Sequence, residues 1–336
     1  MSERLELKPL GDSGLTVSRI GLGLAALGRP GYINLGHSED LRGDLSVAAM
    51  QARAFETLDA AWSLGVRYFD AARSYGRAEE FLAAWLSARA IEPGSVTIGS
   101  KWGYIYTADW KIEADRHEIK DHSLANLSRQ AGESAAILGR SLGLYQIHSA
   151  TLESGVLNDS EVLTDLARRK FDHGWKIGLS LTGPRQSATL AQALAVRIDG
   201  VPLFNAVQAT WNILETSCGE ALSEAHSAGL GVIIKEGLAN GRLTSRNVAP
   251  EFAGARSILQ AEADRLGTTL DGLALAAVVA RPWVDVVLSG ASTVEQLRSN
   301  RAAINVRWDD KVESRLDALV EAPESYWSTR SRLVWN

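Results

Sequence analysis

The stretch that decides the fold is Val66-Arg-Tyr-Phe-Asp70-Ala-Ala-Arg-Ser-Tyr75-Gly76. A short β-prone run ends on a carboxylate, Asp70, and a tyrosine follows five positions on, directly before a glycine that can turn the chain. That pattern is a strand feeding a loop. Two further runs end the same way: Val96-Thr-Ile-Gly-Ser-Lys101 stops on a lysine and Leu144-Tyr-Gln-Ile-His148 on a histidine. In a closed parallel barrel the carboxyl ends of the strands meet at one rim, where such folds carry their chemistry. Asp70, Tyr75, Lys101 and His148 would then share that rim.

The four side chains form a proton-handling set. A tyrosine hydroxyl has an ordinary pKa of about 10, and an ammonium beside it stabilises the phenolate. Tyr75 is thus a candidate general acid or base, with Lys101 to tune it. Asp70 would hold Lys101 charged and in place, and His148 would donate to a substrate carbonyl oxygen. Singly, a strand-end Asp or Lys is as readily a helix cap or ion pair, and a lone His a structural residue. Four of them at strand ends point to chemistry.

Outward from this stretch, strand and helix alternate, which implies a parallel sheet. The first strand is Ile20-Gly-Leu-Gly-Leu24. Its glycines let backbone approach a ligand, and Gly23 and Leu24 at its end are candidate cofactor contacts. Residues 46–64 have helical spacing, with Phe55, Leu58 and Trp62 on one face and Gly65 closing the helix. Helices are expected at 78–90, 123–142, 161–173, 186–196, 217–228, a pair within 255–281 meeting near Gly267, and 309–320. The remaining strands are expected at 176–180, 205–209, 231–235 and 285–289. About eight strands result, the closure number of a TM-sized (β/α)8 TIM barrel. We therefore read residues 1–336 as one α/β domain: a TIM barrel with a short N-terminal hairpin around Gly11-Asp-Ser-Gly14, long rim loops at 29–44 and 102–122, and a C-terminal tail at 326–336. An open doubly wound sheet would need a glycine-rich phosphate turn, and residues 20–24 lack its third glycine.

Composition narrows the class of function. The chain has 336 residues, 46% hydrophobic and 22% charged, enough for a large core. Its net charge is −5 and no basic block is present, so nucleic acid is not an expected partner. One cysteine, Cys218, excludes an intrachain disulfide and fits a reducing compartment, so a cytoplasmic location is expected. The first residues lack an export pattern, and no run approaches the roughly 20 apolar residues of a membrane span. His117 and His122 with Asp115, Glu118 and Asp121 match no metal-ligand spacing and read as a solvated helix start, so no metal is expected. The aromatic run 102–110 would line a substrate pocket, with Trp102 and Tyr104 as candidates from it and Trp211 as a third from later in the chain. Nothing in the sequence fixes an oligomeric state.

The quoted residues also carry a resemblance. Asp70-Ala-Ala-Arg-Ser-Tyr75-Gly76 resembles the Asp-Thr-Ala-x-x-Tyr-Gly signature of the aldo-keto reductases, with Ala71 in place of threonine. Lys101 and His148 fall where that family keeps its catalytic lysine and histidine. Ile177-Gly-Leu-Ser180, Val207-Gln208-Ala-Thr-Trp-Asn212 and Leu288-Ser-Gly-Ala-Ser-Thr-Val-Glu-Gln-Leu-Arg-Ser-Asn300 resemble later family blocks, in the family's order. The resemblance implies an NAD(P)(H)-dependent oxidoreductase without metal, acting on a small carbonyl or alcohol substrate. Aldehyde or ketone reduction and sugar or secondary-alcohol oxidation are both compatible. It places Ser180 and Gln208 at the nicotinamide carboxamide. Leu181 replaces the family's usual asparagine and Lys235 a tyrosine that often stacks on the ring, with Thr182 and Asn212 as substitutes. The block from Gly290 offers backbone donors at a helix start, suited to phosphate, with Gly290, Ser292, Gln296 and Asn300 as contacts. Gly290 and Gln296 stand where many members grip a 2′-phosphate with lysine and arginine, and Arg298 is the nearby cation. NADP(H) is favoured on family frequency and NAD(H) stays open. The alternative is a cofactor-binding regulatory or scaffold protein with little turnover.

Overall fold

Leu7–Pro9 (β1) pairs antiparallel with Thr16–Ser18 (β2) in the computed structural model, which describes residues 6–41 and 43–336. This is the expected hairpin. Its Leu10 and Val17 pack with Tyr68, Leu144, Ile233 and Val286 in a cluster that fills the lower barrel. The hairpin turn docks through the Asp12 amide on the Gly229 carbonyl, 2.8 Å away.

The barrel strands follow in chain order. They are Ile20–Gly23 (β3), Tyr68–Asp70 (β4), Thr97–Trp102 (β5), Leu142–Ala150, Lys176–Leu181, Ala206–Thr210, Gly231–Lys235 and Val286–Ser289. Two ribbons interleave with them. Tyr104–Tyr106 (β6) and Glu118–Lys120 (β7) form one, so that Leu142–Ala150 is β8 and Lys176–Leu181 is β9. Arg197–Ile198 (β10) and Val201–Pro202 (β11) form the other, leaving Ala206–Thr210 as β12, Gly231–Lys235 as β13 and Val286–Ser289 as β14. Each barrel strand pairs in parallel with the next, and β14 returns to β3. Among the described residues, eight strands close the barrel, so all strand ends named in the sequence reading face one rim.

The helices bury one face each against the outside of the strands. His37–Asp40 (α1) is a single turn within the first rim loop. Val47–Ser63 (α2) starts on Ser46, whose hydroxyl accepts from the Ala49 amide, and stops before Gly65 at φ 87°. Its buried stripe is Met50, Ala54, Leu58 and Ala61. Phe55 and Trp62, expected to share that face, flank it half-buried, so the stripe is rotated from the expected one. Ala78–Ala88 (α3), Leu124–Leu138 (α4), Ser160–His173 (α5), Gln186–Ala195 (α6) and Gly219–Ser227 (α7) follow. Ala253–Leu266 (α8) and Leu270–Val279 (α9) meet around Gly267, in the left-handed region at φ 65°, as expected. Val294–Ala302 (α10) and Asp310–Leu316 (α11) complete the ring.

Three expectations need correction. The segment 102–122 is not a bare loop, because β6 and β7 pair through Ile105 and Ile119 into a ribbon over the rim. His117 and His122 do not begin a helix: His117 stacks on Trp335 at 4.1 Å, and His122 donates to the His148 carbonyl at 2.9 Å. The tail is partly helical, since Pro323–Ser331 (α12) opens with a proline at its first position, where a missing N–H costs nothing. Beyond α12, Asn336 exchanges backbone hydrogen bonds with Tyr32, which brings Trp335 over the mouth. Among the described residues no helix is long and apolar enough to cross a membrane.

Candidate active site

Asp70, the last residue of β4, collects donors from around the barrel. Lys101 on β5 donates its ammonium to one carboxylate oxygen; Gln208 on β12 (2.9 Å), Tyr68 (3.1 Å) and Gln146 (3.4 Å) donate to the other. Lys101 is itself buried and also donates to the Ala71 carbonyl at 3.1 Å. A buried ion pair survives only when its remaining polar sites are satisfied, and these contacts do that. Gly99 leaves the room: a Cβ there would stand 2.5 Å from the Tyr68 hydroxyl.

Tyr75 sits on the loop after β4, its amide bonded to the Ala72 carbonyl at 3.0 Å. Gly76 follows at φ 60°, and a Cβ there would meet the Gly28 carbonyl at 2.4 Å, so only glycine brings the tyrosine this close. The Tyr75 hydroxyl lies 3.5 Å from Nε2 of His148. The His148 ring is aimed by a bulge, where the pairing of β8 with β9 shifts between Ile147 and Ala150. Ser149 in that bulge adopts φ 56°, its amide donating to Ser180 Oγ at 2.8 Å and its carbonyl accepting from Lys120 at 2.8 Å. The four residues named at separate strand ends thus come together.

Their protonation differs from the expected scheme in one respect. Burial pushes the Tyr75 phenol well above its ordinary value, with the charges of Asp70 and Glu118 adding to it and Arg29 opposing. The Lys101 ammonium, bound to Asp70 and 5.0 Å from the Tyr75 ring centre, does not overcome that rise. Burial, then the charges of Lys101, Lys235 and Arg29, holds His148 well below the ordinary imidazole range. At neutral pH a protonated phenol therefore faces a neutral imidazole.

From Tyr75 and His148 a cavity of about 470 Å³ runs to α10. Gly23, Gln208, Lys235, Gly290, Gln296 and Asn300 line it, as does Thr182. The other expected cofactor contacts do not. Leu24 is buried in the main core, the buried Ser180 hydroxyl accepts from the Ser149 amide, and Ser292 turns its hydroxyl to Asp40 at 2.8 Å. Leu181 is core and Asn212 is tied to the Glu236 carbonyl and the Tyr326 hydroxyl, both at 2.9 Å. The amides of Ala291 and Ser292 already donate to Ser289 Oγ and Gln296 Oε1, so these two donors at the helix start are engaged. Arg298 is exposed and outside the lining; the cation at this end is Arg246.

Of the pocket aromatics, only Tyr104 lines the cavity, its ring 4.9 Å from His148. Trp102 is fully buried against His122, and Trp211 packs edge to face on Trp283. Both belong to the core. The lining instead recruits Arg29, Tyr32, Glu118, Glu236, Arg330 and Trp335. The Arg29 guanidinium stands over Tyr75 and Trp335 at 5.2 and 4.7 Å and is paired with Glu118. Glu236 accepts from Arg330 at 2.6 Å, and its backbone is in the left-handed region at φ 55°. Burial alone would raise the Glu236 carboxyl, but Arg330 and Lys235 hold it at about 2. Burial lowers Lys235 to about 8. No local signal marks these residues as site residues.

An eight-stranded parallel barrel with a proton-handling cluster and a long polar cleft at its carboxyl rim is the architecture of a barrel oxidoreductase. Residues 19–321 match the model of the aldo/keto reductase family, and the chain belongs to that family. It is 25% identical over 343 residues to L-galactose dehydrogenase of Arabidopsis thaliana, covering 95% of each chain. A 35% identity to pyridoxal 4-dehydrogenase of Microbacterium luteolum spans 154 residues, 40% of each chain. In fold it matches an aldo-keto reductase from Bacillus halodurans, solved in its holo form, with a TM-score of 0.69 at 20% identity over 95% of this chain and 97% of that one. The protein is an enzyme, an oxidoreductase.

Proposed function

We propose that the cavity holds a nicotinamide dinucleotide with its redox ring beside Tyr75 and His148, and that the enzyme interconverts a carbonyl and an alcohol there. When bound, the nicotinamide supplies or accepts the hydride. The chain's own residues handle the proton. In reduction, the Tyr75 hydroxyl donates its proton to the substrate oxygen as hydride reaches the carbonyl carbon; in oxidation the phenolate takes it back. Neutral His148, 3.5 Å away, orients that oxygen through its ring N–H. Lys101, paired with Asp70 and 5.0 Å from the Tyr75 ring centre, offsets part of the carboxylate charge that opposes development of phenolate.

The lining supports a dinucleotide at both ends. Gln208 and Thr182 offer amide and hydroxyl groups near the tetrad, and Ser299, Asn300 and Asp271 offer polar groups at the α10 end. Arg29, Glu118, Glu236, Arg330 and Ser149 around the mouth suit a small substrate rich in hydroxyl groups, with Trp335 and Tyr104 as apolar walls. The dehydrogenase names of two relatives favour an alcohol or sugar as one partner.

The Tyr75–His148 approach above the Lys101–Asp70 pair carries this reading. Tyr75→Phe tests it: turnover should fall about 10²–10⁴-fold, the usual share of a general acid, while dinucleotide binding, followed by tryptophan fluorescence, is kept. Full turnover in that variant would overturn the assignment. Wild-type protein that binds dinucleotide yet turns over no carbonyl, sugar or alcohol would favour the scaffold reading.

A further inference from the structure

Arg29, at the start of the first rim loop, is buried and lines the cavity beside Tyr75. The hydrogen bonds it makes to described residues both leave from one nitrogen: Nη1 donates to the Ser74 carbonyl at 2.8 Å and to Glu118 Oε1 at 2.5 Å. Its Nε donor is buried without a partner. In a guanidinium, Nε and Nη2 lie along one edge, so the edge left over is one that gives two parallel N–H bonds to a planar pair of oxygens. The group is also held where it stands. Its central carbon lies 5.2 Å from the ring centre of Tyr75, 4.7 Å from that of Trp335 and 5.7 Å from that of Tyr32, contacts made through its charge rather than through that edge. A buried donor kept open is costly, and an acceptor that arrives with a ligand satisfies it.

The charges at this end of the cavity do not cancel. Arg29, Lys235 and Arg330 face Glu118 and Glu236, while Asp70 is matched by Lys101, so one positive charge is left over. Arg330 spends Nε and Nη2 on Glu236, and Lys235 donates to Thr210 Oγ1 at 3.0 Å. The unspent edge of Arg29 is thus the place where an anion gains most. We infer that the substrate carries a carboxylate a short carbon chain away from its reacting carbon, being an oxo acid or the corresponding hydroxy acid, and that Arg29 binds that carboxylate. The inference rests on the reading of Tyr75 and His148 as the groups that hold the reacting oxygen. Glu118 fixes the guanidinium from its Nη1 side and leaves the other edge to the ligand, but its own charge works against an incoming acid.

Pairs matched in carbon skeleton test this: glyoxylate against glycolaldehyde, succinic semialdehyde against butanal, and D-galacturonate against D-galactose. Each is titrated by calorimetry into the enzyme loaded with oxidised dinucleotide, which cannot reduce it. In at least one pair the acid should bind at least about tenfold more tightly, the least that a charge-assisted hydrogen bond supplies. Glu118→Gln should widen that ratio and Arg29→Gln should bring it toward one through loss of affinity for the acid. If no pair favours the acid by that margin in wild-type protein, the inference is overturned, and this comparison needs no variant to fold. An unchanged ratio in folded Arg29→Gln overturns it as well. Turnover is then read with reduced dinucleotide in place of the oxidised form. Acids that bind through Arg29 yet are not reduced would refute the proposed reaction rather than the acid site, whereas neutral compounds reduced without any preference for acids would leave the reaction standing and remove Arg29 from it.

Discussion

The Tyr75 hydroxyl and Nε2 of His148 stand 3.5 Å apart, their rings edge to face at 83°. Both are neutral over the physiological range, because burial drives the phenol up and the imidazole down. Two neutral partners leave the proton on the phenol until the substrate oxygen needs it. The rate of carbonyl reduction, as kcat/KM against pH, should therefore lack an inflection at the ordinary histidine value of about 6.5. An inflection there that vanishes in His148→Gln would show that the imidazole titrates, and would defeat this account.

Arg330 on α12 is expected to matter as much for stability as for the shape of the mouth. Arg330→Met leaves the Glu236 carboxylate, 8% exposed, with only Thr210 at 3.2 Å and Lys235 at 3.8 Å. Stranding one member of a buried pair costs about 3 kcal/mol, read as a drop in urea stability at pH 7. The pH dependence has a definite sign. Glu236 titrates at about 2 in the folded protein against an ordinary 4.5, so its stabilisation is complete above about 4.5 and is lost as the pH falls toward 2. Arg330→Met should flatten that acid loss; an unchanged acid limb would mean that the pair contributes nothing.

Lys235 behaves in the opposite sense. Burial lowers its ammonium to about 8 from 10.5, so above pH 8 the unfolded chain holds this proton more firmly than the folded one. Stability should therefore rise as the pH climbs from about 8 to 10.5. Lys235→Met should remove that rise and gain up to about 3 kcal/mol at pH 7, since each pKa unit is worth about 1.4 kcal/mol. A variant less stable than wild type at pH 7, with the alkaline rise intact, would count against a charge penalty at this position.

The barrel was legible because its signals are local. Each strand is an apolar run ending at a turn, and Ser46 and Gly65 bracket α2 within the segment they cap. The tetrad was legible for the same reason, each member sitting at or just beyond a strand end. What escaped depends on partners distant in sequence. Asp40 and Arg246 are separated by 206 positions, and neither has a neighbour that announces the other. The ribbon of β6 and β7 is three residues a side with mixed polarity, so its pairing comes from the rim beneath it. Trp102 and Tyr104 look alike in the sequence, yet the first still belongs to the fully buried β5 while the second lies on the ribbon, so only one reaches the cavity. Proline at the first position of α12 was a usable signal that the aromatic tail obscured.

Ser180 separates two roles that sequence position alone would merge. By resemblance it holds the nicotinamide carboxamide; in the fold its hydroxyl accepts from the Ser149 amide at 2.8 Å, a bond that props the bulge that aims His148. Ser180→Ala leaves that amide unpaired, at a cost of about 1 kcal/mol in stability, and lets the bulge relax. If propping is its work, kcat should fall about tenfold while the dissociation constant for dinucleotide stays put, since about 1.4 kcal/mol of misplacement at a proton donor is a tenfold loss in rate. If it grips the carboxamide, the dissociation constant should rise and carry the loss in kcat/KM with it. Single-turnover kinetics beside a calorimetric titration separates the two outcomes. A weakened dinucleotide complex with kcat unchanged would reassign Ser180 from positioning the histidine to binding the cofactor.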